Sequence, residues 1–194
     1  RATLARGSES YGYSGSAVQW RVRLALWERN ADALLALLAT QPKRVIFDSQ
    51  ERYEPGLLYA GWAHQLQGNR AAARDAFRGG LALLDSALRG LPIERRLHVA
   101  RGLALAGLDQ RADAQREAEW LKGSVDYRDT YRRATGVAEA RALILASVGA
   151  VDDALRELEP LLSGPSWTSA HMVRIDPRWD PVRSELLSLP TERI

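Results

Sequence analysis

One spacing recurs three times in this chain, and it constrains the fold more than any other feature. In Leu57 to Leu84 a glycine, Gly68, is followed five residues on by Ala73 and four later by Phe77. Gly107 precedes Ala112 by the same five residues, and Gly149, Ala154 and Leu158 repeat the full set of offsets. The glycines recur at nearly even intervals, within the range of periods at which supersecondary units stack. Each falls where one apolar helical pattern ends, a position that favours left-handed backbone. Leu97, Ala100, Leu103 and Ala104 follow the three-and-four spacing of an amphipathic helix. The alanine then lies inside the next helix, where a small side chain lets two antiparallel helices approach, with Phe77 or Leu158 filling the gap one turn on. A single helix pair cannot bury its apolar face, so the pairs must stack.

Composition narrows the class further. The 194 residues, 46% hydrophobic and 26% charged, suit one globular domain and not a disordered tail. No apolar run approaches the roughly 20 residues of a spanning helix, so no membrane insertion by this chain is expected. Arg1 to Ser16 carry neither an apolar core nor an initiator Met, which predicts a piece of a longer protein. Zero Cys excludes disulfides and thiolate zinc sites. Of 27 basic side chains only Lys43 and Lys122 are lysine, and the net charge is +3. Arginines alternate with acids, as at Arg74 and Asp75, instead of forming one stripe, so no nucleic-acid partner is expected.

Along the chain, residues 1–15 read as a flexible tether, 16–165 as a helical repeat domain and 166–194 as a closing segment. Trp20 to Pro42 reads as a degenerate first pair, with Trp20, Leu24 and Trp27 on one face and Asn30 or Asp32 capping the second helix. Two Asp-Pro steps, Asp176-Pro177 and Asp180-Pro181, read as N-cap and first-turn pairs of short helices.

The pattern resembles the tetratricopeptide repeat family over about Leu57 to Pro165, with Gly61, Ala73 and Phe77 matching its first unit, Ala100 and Ala112 the second, Ala142 and Ala154 the third. The resemblance implies an all-α superhelix of about four antiparallel helix pairs. The closing segment, Ile175 to Pro181, is similar to that of helical-repeat tails behind serine/threonine kinase or winged-helix domains in bacterial signalling proteins. In it Asp176, Trp179 and Asp180 are expected to form a cap, Trp179 covering the apolar end of the last pair. The same resemblance favours the extracytoplasmic part of a membrane-anchored bacterial protein over the cytoplasm.

No constellation for catalysis emerges. Three histidines, His64, His98 and His171, show no metal-ligand spacing, no G-x-S-x-G or phosphate loop occurs, and no metal or cofactor is expected. The chain is expected to be a non-catalytic protein- or peptide-binding or sensory module, which the resemblance places in the C-terminal part of a larger bacterial regulatory protein. Family groove positions fall on Trp62, Gln65, Arg101 and Glu139, with Trp62 alternatively a core residue and the others alternatively solvated. Arg128 and Arg132, interleaved with Tyr127 and Tyr131, form a candidate anion patch, with helical ion pairing as its plainer reading. The alternatives are a stand-alone scaffold that assembles an enzyme complex or a homo-oligomer through exposed Trp20 and Trp27, and a helical enzyme with an unrecognised site.

Overall fold

A computed structural model describes residues 14–40, 45–49, 52–125, 131–166 and 168–187. The fold is all-α, with one small hairpin of strands. Helices α1 (Ser14–Trp27) and α2 (Ala31–Ala39) come first, followed by strands β1 (Val45–Asp48) and β2 (Tyr53–Pro55). Then come α3 (Gly56–Leu66), α4 (Arg70–Gly90), α5 (Arg95–Gly107), α6 (Arg111–Gly123), α7 (Tyr131–Ser147) and α8 (Val151–Ser163). The chain closes with α9 (Ala170–Ile175), a 3-10 helix (Pro177–Val182) and α10 (Arg183–Leu187). Of the expected tether, 1–13 lie outside the described residues, and Ser14 and Gly15 already belong to α1.

The same turn joins the two helices of each pair. Arg29, Gly68, Asp109 and Gly149 all have positive φ, between 54° and 76°, and recur at an almost constant interval. After each, the next amide reaches back to close a Schellman turn: Asn30 to the Ala25 carbonyl, Asn69 to His64, Gln110 to Leu105 and Ala150 to Leu145, at 2.8–2.9 Å. The second helix then starts two residues past the left-handed one, at Ala31, Arg70, Arg111 and Val151. Five residues past it sit Leu34, Ala73, Ala114 and Ala154, all buried.

This turn corrects the expected register in the middle of the chain. Gly107 is not left-handed. It is the last residue of α5, and Asp109, with φ 60°, takes the turn two residues later. Ala112 is accordingly exposed, and Ala114 is the buried small residue of α6. Gly107 has a different job. A Cβ there would lie 2.6 Å from the Phe77 ring, as would one at Gly61. Phe77 is fully buried on α4 and slots between α3 and α5, so both glycines admit its ring.

Successive helices pack on one another from α3 to α8, and the first helices of neighbouring pairs also touch, α1 on α3, α3 on α5 and α5 on α7. The first pair differs in detail from expectation. Val22, Ala25 and Leu26 face the core, whereas Trp20 is 49% exposed and Leu24 and Trp27 are only partly buried. Asn30 caps α2 by accepting from the Ala33 amide, while Asp32 accepts from the Gln67 side chain at 2.8 Å.

No periodicity announces the hairpin, because its strands are too short to show one. β1 and β2 pair antiparallel, with Phe47 opposite Glu54 and Asp48 opposite Tyr53, and an irregularity between Val45 and Phe47. That irregularity turns both Ile46 and Phe47 inward. Phe47 stacks on Tyr59 of α3, and Arg96 of α5 bonds Asp48, which clamps the hairpin over the bases of α3 and α5.

The turn assignment has a direct test. Ala114→Leu overpacks the α5–α6 contact and lowers stability by about 1–3 kcal/mol, while Ala112→Leu stays within about 0.5 kcal/mol. Urea midpoints measure both, and equal losses would restore the Gly107 register.

Candidate functional site: a cleft closed by the chain's own C-terminal segment

The first helices of the pairs present equivalent positions to one side. Counted from each left-handed residue, Trp62 matches Leu103, Gln65 matches Ala106, and Leu66 matches Gly107 and Ser147. These residues line one wall of a cleft of about 260 Å³, and Pro177, Arg178, Asp180 and Pro181 line the other. The segment expected to close the last pair therefore also lies beside the faces of three helices.

It packs on α7 and α8, and long side chains of the first pair reach out to it. The Trp27 indole donates to Asp176 Oδ2 at 3.2 Å, and Arg29 grips Asp180 with two bonds of 2.6 and 2.8 Å. These partners are separated by 149 and 151 residues of sequence. Asp176 caps the 3-10 helix through the Arg178 amide at 3.0 Å, as the Asp-Pro step predicts. Asp180 does not cap a second helix. It lies inside the 3-10 helix and uses its carboxylate on Arg29 and Arg183. Trp179 is 2% exposed and joins Val173 and Val182 in the core.

Arg178 is the centre of this arrangement. Its Nε and Nη2 bond the Asp176 carboxylate, at 2.6 Å for the shortest contact, and its guanidinium lies 5.0 Å from the Trp62 ring centre. Around it stand Glu54, Tyr59, Arg23 and Arg52. The Tyr59 hydroxyl donates to Glu54 Oε2 at 2.5 Å, and Arg52 donates to Glu54 Oε1 at 3.3 Å. Arg23 lies between the rings of Trp27 and Phe47, at 5.6 and 5.2 Å, with its Nε buried and unbonded.

Burial works against every charge here, and pairing decides the outcome. Burial pushes the Glu54 carboxyl up, but Arg52, Arg178, Arg23 and the Tyr59 hydrogen bond hold it below the usual range. Burial pushes Asp176 up too, and Arg178 with the Trp27 indole holds it down. Arg178 loses by burial and gains more from Asp176 and Glu54, so it is raised. Arg23 is lowered by burial and by Arg52. Burial and the neighbouring Glu54 raise Tyr59 well above its ordinary value.

The sequence-derived candidates scatter across the molecule. Trp62 and Gln65 line the cleft, Trp62 being 9% exposed and edge-on to both Tyr59 and Phe77, and so belonging to core and cleft alike. Arg101 does not line the cleft. It follows the displaced Gly107 register, and its guanidinium bonds Asp85 of α4 at 2.7 Å and Glu117 of α6, between the second helices of two pairs. Arg141 stands at the equivalent position of the next pair and bonds Glu157 at 2.8 Å and the Ala118 carbonyl at 3.0 Å. Glu139 pairs with Arg52 at 3.5 Å, beside the hairpin and not on the cleft wall. Arg128 lies outside the described residues, as does the Arg132 side chain. Trp27 is committed to Asp176 and Arg23, which removes it from an exposed self-association face.

Sequence reasoning missed Arg29, Glu54, Tyr59 and Arg178, and gave Trp27 a self-association role in place of its bond to Asp176. Charge in apolar company is a signal for two of them, Glu54 between Tyr53 and Pro55 and Arg178 between Pro177 and Trp179, while Arg29 between Glu28 and Asn30 and the uncharged Tyr59 carry none. His98 stacks on Trp120 and bonds Glu117 and the Pro92 carbonyl, a packing role. Among the described residues no group of three His, Cys, Asp or Glu could hold a metal ion, and no helix is long and apolar enough to cross a membrane.

Removing one member of the buried pair strands its partner. Arg178→Met is expected to lower stability by about 3–5 kcal/mol, measured by urea denaturation, and a loss below about 1 kcal/mol would deny Arg178 its central place. The pH dependence follows in sign. Glu54 and Asp176 have lowered pKa values, so their contribution is full above the unfolded carboxylate range of about 4 and is lost as pH falls through their folded values. Tyr59 is raised, so its contribution is lost as pH climbs past the unfolded value of about 10. Melting temperature should therefore fall at both ends, and Glu54→Gln should flatten the acid limb. An acid limb unchanged by Glu54→Gln would contradict the assignment.

No family model matches the chain, and neither do a curated protein or a solved structure.

Proposed function

We propose that this chain is a non-catalytic protein-binding module of the tetratricopeptide-repeat type, and the C-terminal part of a larger bacterial regulatory protein. The observation that carries the proposal is the cleft itself. Equivalent positions on three successive first helices supply its wall, and a stretch of polypeptide, the chain's own Pro177, Arg178, Asp180 and Pro181, already forms its other side. Repeated helix pairs with a shared face suit the recognition of a peptide or partner loop. The ionisable groups near it support binding rather than turnover. Glu54, Asp176 and Arg178 are bonded to one another or to Tyr59 and Trp27, an arrangement that fixes structure. The regulatory placement rests on the likeness of Ile175 to Pro181 to the closing segments of bacterial signalling proteins.

Selection of random peptides displayed on phage against the purified chain tests this reading. The expected result is a convergent family of peptides whose affinity falls at least about tenfold, a loss of about 1.4 kcal/mol, in Ser147→Trp, which blocks the mouth of the cleft from an exposed position. Convergent peptides indifferent to Ser147→Trp, or no convergence, would overturn it.

Self-association is the second reading, favoured by the half-exposed indole of Trp20. Light scattering over a range of concentrations separates the two, since a peptide-binding monomer keeps one mass.

A further inference from the structure

The packing of His98 implies a proton count. From α5 its Nδ1 bonds the Glu117 carboxylate of α6 at 2.7 Å, and its Nε2 bonds the Pro92 carbonyl at 3.0 Å. Arg101 donates to the other oxygen of Glu117, so both oxygens act as acceptors. A backbone carbonyl also only accepts, and a neutral imidazole has a single N–H to give. The two bonds together therefore require the imidazolium, with a proton on each ring nitrogen.

The surroundings suit that charge. The Trp120 ring stacks on the imidazole with centroids 3.6 Å apart and planes 22° from parallel, which places a cation on an indole face. Arg101 also bonds Asp85 of α4 at 2.7 Å, so two carboxylates meet two cations only while His98 is charged. Among the described residues, the other charged groups on this side are held elsewhere or precede the ring on its own helix. Glu94 bonds Arg96, Arg89 turns to Ser86 and the Asp85 carbonyl, and Arg95 stands three residues before His98.

The bridge between the helices does not need the histidine. In the next pair Arg141 and Glu157 repeat Arg101 and Glu117, and Ala138 takes the place of His98. What His98 adds is its hold on Pro92, in the connection 91–94 between α4 and α5. That connection carries Leu91 and Ile93, 56% and 82% exposed.

We propose that His98 is a pH-operated latch on this connection, closed when the imidazole carries two protons and released when it gives one to water. The Nδ1 proton stays, because the carboxylate is the stronger acceptor. The Nε2 proton leaves, and a lone pair then faces the Pro92 oxygen. Two acceptors at 3.0 Å repel, and Pro92 is exposed, so its carbonyl turns to solvent, where water replaces the lost bond. Rising pH thereby moves two exposed apolar side chains, whether or not the chain binds a peptide.

The test titrates the full chain, with nitrogen-15 in its backbone and histidine rings, from about pH 5 to 8, where an imidazole ordinarily changes charge. At the acid end both ring nitrogens of His98 should be protonated, and with rising pH Nε2 alone should lose its proton. The amide signals of Ile93 and Glu94 should shift with the same midpoint. His98→Phe keeps a flat ring on Trp120 and removes both bonds, so those amides should stay near their high-pH positions throughout, while His64→Gln and His171→Gln leave the titration in place. A His98 that titrates without moving Ile93 and Glu94 would overturn the latch, as would shifts there that persist in His98→Phe, or a ring that keeps one protonation state across the range. The unaltered chain alone decides the first and last of these outcomes, even if His98→Phe does not fold.

Discussion

A guanidinium buried beside a tryptophan ring is tolerable only if a carboxylate meets it, and the pairing of Arg178 with Asp176 therefore governs the end of this chain. Asp176 serves three partners at once. It caps the 3-10 helix, binds the arginine two residues on and accepts the Trp27 indole. The Asp-Pro step makes this possible, because proline fixes the first turn of the short helix and thereby the direction in which residue 178 projects. With Arg178 seated on Trp62, Trp179 and Val182 have no other course than into the core, and Asp180 arrives at Arg29.

Stacked helix pairs ordinarily contact only their neighbours, so their stability is close to a sum of local terms. Here side chains 149 and 151 residues apart in sequence join the first pair to the last segment. Such bonds tie the first pair to the closing segment, and the expected consequence is cooperative unfolding instead of fraying from either end. The aromatic groups Phe47, Tyr59, Trp62 and Phe77 form a chain of ring contacts from the hairpin through α3 to α4, with successive centroids 6.2, 5.1 and 6.4 Å apart, and carry the packing beside which the charged hub sits.

Much of the fold is legible because helix pairs write themselves in short range. The turns at Gly68 and Gly149, the small residues Ala73 and Ala154 and the Asn30 cap are local chemistry, and local chemistry survives in sequence. The turn at Asp109 is hidden because Gly107 offers a glycine two residues too early, and only the packing of Phe77 reveals why that glycine is there. That single displacement carries Arg101 into the predicted groove and conceals its kinship with Arg141, each reaching a glutamate sixteen residues on, Glu117 and Glu157. The hairpin escapes because β1 and β2 are too short to show a period. The cleft's outer wall escapes because nothing in the sequence states that residue 178 meets residue 62.

That meeting is the claim on which the cleft and the tie between the first pair and the closing segment both depend. Nuclear Overhauser contacts from the Trp62 ring protons measure it most directly. Contacts to the side-chain methylenes of Arg178 are expected, with those methylene signals displaced upfield by the ring current. Trp62 contacts confined to Tyr59, Phe77 and their neighbours, together with Arg178 methylenes at ordinary shifts, would contradict it.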